Sequence, residues 1–254
     1  MPRFIELGNY ENREPHEQLV ASLNRVRAPL SYAYCLAFEA FERSRQLLRE
    51  SECAADYYSG WGDQEDATEL QHSAFTKDVE ADMFASLAVL FAGDVLRRYH
   101  WELFHKHLTL KGGYGRKHNG DVTLTALLEA GGNAIRHASA WAGNVRFPYP
   151  DDESKLTLEE KRALRSIRVI ERAFGTIGAP IVNAPSWDIV FWMNAGDDWK
   201  PEENYDNYEK AIVLTALDMA STKSPEAVTK LKAAADWIDF PEALVDVKVE
   251  RLES

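Results

Sequence analysis

Cysteine is scarce in this chain: Cys35 and Cys53 are the only two among 254 residues, and they form no C-x-x-C pair. A disulfide framework is excluded on that count, and two reduced thiols in a cytoplasmic protein are expected. Long apolar runs are missing too. The longest, Met83 to Gly93, is far short of the roughly 20 residues a membrane span needs. The opening MPRFIELGNYENREP has no apolar h-region, so no secretory leader and no membrane partner are expected. Positive charge is in deficit, with 29 Lys+Arg against 41 Asp+Glu and a net charge of −12. That balance argues against a generic nucleic-acid coat or a polybasic membrane binder, while leaving room for a local basic site. No G-x-S-x-G, G-x-x-x-x-G-K-[ST] or H-E-x-x-H occurs, so serine hydrolase, P-loop and zincin chemistry have no footing.

What is present is helical periodicity. Leu19, Leu23 and Val26 recur at i, i+4 and i+7, marking a helix face from about residue 14 to 26. Pro29 is expected to break it, with Ser31 capping a second helix through about Tyr57. A long helical tract follows over about residues 66–110, with a bend expected near Gly93, and KGGYGRKHNG (111–120) reads as a loop. A helix over about 123–144 ends at FPYPDD, and Thr157 with Glu160 forms a capping box for the next, through about Phe174. The segment holding Trp187, Trp192 and Trp199 reads as short helices or irregular structure. Helices over about 205–220 and 224–238 follow, the latter opened by Ser224-Pro225, and the tail VDVKVE alternates like one short strand. The expected fold is therefore all-α, an antiparallel helical bundle over residues 1–176 with a C-terminal helical appendage over 177–254.

Two stretches carry candidate chemistry. Between Arg97 and His118, the cations Arg97, Arg98, Lys106, Lys111, Arg116 and Lys117 face only Glu102, a local charge of about +5. Tyr99, Trp101, Phe104 and Tyr114 interleave with them, as do four histidines. Cations around a glycine-rich loop suit phosphate, and aromatics suit bases, so these six are the expected RNA-binding residues. A second stripe, Lys161, Arg165, Arg168 and Arg172, runs along one helix face and reads as a solvated surface. The other stretch is LLEAGGNAIRHASAWAGN, where Asn133, His137 and Trp141 project from one face at i, i+4 and i+8, with Arg136 beside them. An imidazole of ordinary pKa can serve as acid or base at neutral pH. Gly131 and Gly132 are costly in a helix interior, by about 1 kcal/mol each, so something is expected to approach that surface closely.

G-N-A-I-R-H followed by Trp141 resembles the signature helix of the HEPN superfamily, whose motif is Arg, a polar residue, three variable residues and His. Asn133 matches the polar position and His137 the histidine, while Gly132 stands where the family has arginine. The resemblance implies an HEPN-like all-α fold, a homodimer placing two such helices around a composite RNA site, and metal-independent endoribonuclease activity. It further implies a toxin or phage-defence setting, with a cognate antitoxin or defence protein as partner. Asn133, Arg136 and His137 are then the expected catalytic residues, with Arg136, Arg97 or Arg98 supplying the cation that Gly132 does not.

Two other classes compete. A non-catalytic helical interaction module would use the basic hairpin and the Trp-rich segment to bind a protein partner. A dimetal carboxylate bundle would use the Glu69–His72 and Glu102–His105 pairs, because i and i+3 share a helix face. Two such pairs are close to chance in this composition, so no metal ligands and no cofactor are expected.

Overall fold

The computed structural model describes residues 14–58, 64–108, 113–118, 121–144, 153–175, 186–194, 201–238 and 240. Among them the expected all-α bundle is found. Its helices are α1 (Pro15–Tyr58), α2 (Gln64–Phe104), α3 (Leu124–Asn144), α4 (Leu158–Phe174), α5 (Ser186–Asn194), α6 (Pro201–Lys223) and α7 (Pro225–Ala234). Strands β1 (Lys117–His118) and β2 (Val122–Thr123) make a small antiparallel hairpin, Lys117 opposite Thr123, that leads into α3.

The break expected at Pro29 does not occur, for α1 is one helix of 44 residues with Pro29 inside it. Pro29 faces solvent, whereas Leu23 before it and Leu30 and Tyr34 after it are buried. A proline in a helix interior costs about 3 kcal/mol. Burying each large apolar side chain returns about 1.5–3 kcal/mol, so three of them outweigh the missing hydrogen bond. Helix α2 lies along α1, offering a smooth buried face of Ala74, Ala81, Ala85, Ala88 and Ala92. The far ends of the two helices are pinned by His16 Nδ1 and Tyr99 Oη at 2.8 Å, both residues buried. Helix α2 runs unbroken through Gly93, whose bare Cα faces the Leu128 carbonyl on α3. It ends earlier than expected because His105 turns left-handed (φ 53°) while its N–H still reaches the Trp101 carbonyl at 2.7 Å.

Of the Trp-rich segment, the described helix α5 packs into the core. Helix α5 buries Trp187, Ile189, Val190, Trp192 and Met193, with the Trp187 ring 4.8 Å from that of Phe41. Helix α6 joins the same core through Tyr208, Ile212 and Ala216, and Tyr208 donates to the Ala88 carbonyl at 2.8 Å. A smaller cluster of Ala130, Ala134, Ala163, Ile167 and Ile170 seals α3 against α4. Helix α4 begins at the expected capping box, Thr157 with Glu160, and α7 at the Ser224 cap with Pro225. The 176/177 boundary, FPYPDD, Trp199 and VDVKVE lie outside the described residues.

Candidate functional site

Helix α3 carries the motif, and its glycines are explained from inside the bundle. A Cβ at Gly131 would stand 2.6 Å from Ile189 Cδ1 and 3.2 Å from Val89 Cγ1, so this glycine lets α5 and α2 close on α3. A Cβ at Gly132 would meet chiefly the guanidinium of Arg136, with Nη1 at 3.3 Å. The side chain of Arg136 thus runs back over Gly132, as long helical side chains do, and donates from Nη2 to Asp94 on α2 at 2.9 Å. Asp94 also accepts from Arg97 Nη1 at 2.7 Å. Asp94 is thus shared between two guanidiniums, on a surface where each pair is worth at most about 1 kcal/mol.

Asn133 turns the other way, its Nδ2 donating to Ser166 Oγ on α4 at 3.3 Å. His137 is exposed one turn later, and the side chain of Trp141 lies outside the described residues. The three expected catalytic residues therefore share a helix but not a direction: Asn133 and Arg136 engage different neighbours. The approach expected at the glycines comes from α5 for Gly131 and from Arg136 for Gly132.

The described members of the expected RNA-binding set engage different neighbours. Arg97 joins Arg136 through Asp94, facing α3. Arg98 turns to α1, donating to Glu102 at 2.9 Å and to Gln18 at 3.2 Å. The Arg116 guanidinium stacks 5.3 Å from the Trp192 ring centroid on α5. Lys106 and Lys117 are exposed, and Lys111 lies outside the described residues. Within the expected loop, two amides are used by the bundle itself. Tyr114 N–H donates to Thr125 Oγ1 at 2.8 Å and Gly115 N–H to Asp218 Oδ2 at 2.9 Å, so these amides point inward and are not offered to a phosphate. Gly115 (φ 87°) has Thr215 Oγ1 2.5 Å from its Cβ position, so close packing against α6 accounts for that glycine. Most of the interleaved aromatics are interior as well: Tyr99 is buried and Tyr114 stacks on Phe104, leaving Trp101 outside against His107.

The two Glu-x-x-His pairs cannot converge within one chain. The first lies on α2 and the second at its C-terminal end, 33 positions further on, which is roughly 50 Å along a helix. Glu102 is engaged by Arg98, and His105 sits in the left-handed end of the helix. On α4, Arg168 pairs with Glu153 and Arg172 with Asp121, which accounts for half of the second basic stripe.

Two carboxylates escaped the sequence reading. Asp94 was signalled only by its i,i+3 relation to Arg97. Glu129, one turn before Asn133, has a buried Oε2 with no hydrogen-bond partner among the described residues. Burial raises its pKa and nearby Arg97 opposes that rise. Beyond Asp94, between α1 and α2, lies a cleft of about 250 Å³, floored by Leu19, Val26, Phe91 and Val95 and rimmed by Arg25 and Arg98. Comparison with family models, with curated proteins and with solved structures finds no match to this chain.

Proposed function

We propose that this chain is a HEPN-like, cytoplasmic RNA-binding protein of a toxin or phage-defence system, cleaving RNA without metal through His137. The observation that carries the reading is the Arg136 guanidinium lying over Gly132. It supplies a cation at the surface of the residue where the resembled motif has arginine, one position from an exposed histidine.

In this reading His137 takes the proton of a ribose 2′-hydroxyl and the 2′-oxygen attacks the adjacent phosphorus. The P–O5′ bond breaks, and the leaving 5′-oxygen receives a proton from the imidazolium, either the same one or that of a second copy across a dimer. Arg136 and Arg97 hold the charge that builds on the phosphorane, each turning from Asp94 to the phosphate. The products are a 2′,3′-cyclic phosphate and a 5′-hydroxyl. Asn133, held by Ser166, fixes the spacing of α3 from α4 on the motif face.

The test is cleavage of labelled single-stranded RNA in the presence of a chelator. Wild type should yield cyclic-phosphate ends, and His137→Ala should abolish them while RNA binding survives. If wild type cleaves nothing at high concentration, or His137→Ala cleaves as well as wild type, the enzyme reading fails and the interaction-module reading replaces it.

A further inference from the structure

Four apolar side chains stand on the surface of α2 at four-residue spacing. Phe75, Val79, Met83 and Leu87 are 57%, 38%, 58% and 53% exposed. Scattered exposed hydrophobics are ordinary, but a row along one helix face is not. Residues four apart are neighbours on a helix, so the row is continuous over three turns, roughly 18 Å. Nor is it a misplaced core face, because the alanines at 74, 81, 85 and 88 already bury the inward side of α2. Such an i±4n row is the kind of ridge that packs into the groove of another helix.

The charge around the row narrows its occupant. From residue 64 to 90, α2 carries Glu65, Asp66, Glu69, Asp78 and Glu80 against the single cation Lys77, which pairs with Glu80 at 2.6 Å, while Asp82 is turned into the cap of α5. Asp188 of α5 adds to the same flank, its pKa raised by burial and then by the like charge of nearby Asp78. A second copy laid row on row would set these carboxylates against their own kind. Anionic lipid and RNA phosphate are repelled by the same charge.

We infer that the Phe75–Leu87 face of α2 is a docking surface for an amphipathic helix of a partner protein whose apolar stripe is bordered by lysine or arginine. The inference stands on this apolar row and its charge and rests on no RNA chemistry at His137.

The experiment uses the full chain and two synthetic 18-residue helical peptides with identical leucine stripes, one with lysine at every polar position and one with glutamate. In fluorescence anisotropy the lysine peptide should bind and the glutamate peptide should not. The double change Met83→Ser/Leu87→Ser should weaken binding at least tenfold, and so should Phe75→Ser/Met83→Ser. Asp78→Lys should weaken it and flatten its salt dependence, whereas Glu226→Lys, an equal charge change on exposed α7, should leave affinity within twofold. Failure of the lysine peptide to bind, equal binding of both peptides, or indifference to both serine pairs overturns the proposal. Sedimentation supplies the remaining arm: a dimer that dissociates on Met83→Ser/Leu87→Ser assigns the face to a second copy and also overturns it.

Discussion

Asp82 of α2 caps a helix that begins 104 residues later: its Oδ1 accepts the backbone N–H of Ser186 at 2.7 Å and that of Trp187 at 3.1 Å. Ser86 adds a hydroxyl contact to Ser186 at 2.9 Å. The first turn of α5 is therefore capped across the bundle.

Burial raises the Asp82 carboxyl to about 6, with the two amides pulling it down and Asp188 adding to the rise. The folded state thus holds this proton more tightly than the unfolded chain. Its stability contribution is full below the ordinary carboxylate value of 3.8 and is lost as pH rises through about 6. Asp82→Asn keeps an acceptor for both amides and should flatten that slope in urea unfolding. Asp82→Ala removes the cap and the titration together, so it should cost about 1 kcal/mol or more at low pH, with the cost shrinking as pH rises through about 6.

His16 titrates with the opposite sign. Burial lowers its pKa below 6.5, Glu14 opposes that shift, and Lys230 reinforces it. The unfolded chain then takes up the proton first, so the contribution is full above 6.5 and is lost as pH falls below it. Thermal melts at pH 7.5 and 5.5 should show the wild type losing stability at the lower pH, with a smaller loss in His16→Gln.

Adjacent glycines on α3 should respond differently to alanine. At Gly131 the new methyl meets Ile189 Cδ1, and the strain should outweigh the gain in helix propensity, leaving the variant about 1 kcal/mol less stable. Adding Ile189→Val, which lacks that carbon, should recover the loss. At Gly132 the methyl meets the movable head of Arg136 and makes an ordinary contact with Leu90, and the variant should be more stable by up to about 1 kcal/mol. Equal effects at the two positions in chemical denaturation would contradict this account.

RNA affinity, if phosphates are gripped as proposed, should fall by about 0.7 log units per neutralised phosphate for each decade of salt. Arg97→Ala with Arg136→Ala should lower that slope by about 1.4. Arg116→Ala should act mainly on stability, since its guanidinium lies on Trp192.

The parts of this fold legible in the sequence are those fixed by neighbours in sequence. Thr157 with Glu160 and Ser224 with Pro225 mark helix starts because cap and capped amide are three residues apart. The proline rule failed at Pro29 because it weighs one lost hydrogen bond and not the leucines and tyrosine buried on either side. Helix α5 gave no clear signal because its cap, Asp82, is distant in the chain. At the candidate site, the spacing of Asn133, Arg136 and His137 was readable. What each head group touches was not, since Ser166 and Asp94 belong to other helices. The glycine loop misled for the same reason: Thr125, Thr215 and Asp218 reach it from elsewhere.

The long α1–α2 pair also sets an order of assembly. Only residues 59–63 separate the two helices, so their contacts begin between near neighbours in sequence and lengthen one turn at a time, out to His16 and Tyr99. Chain-closure entropy for that pair is met at the turn and grows slowly thereafter. The seat of α5 has no such gradual route, because Asp82 must find Ser186 across a loop of about a hundred residues. Helix α5 is therefore expected to dock late in folding and to open first from the native state, with the Ser186 and Trp187 amides exchanging with solvent ahead of those in the middle of α2.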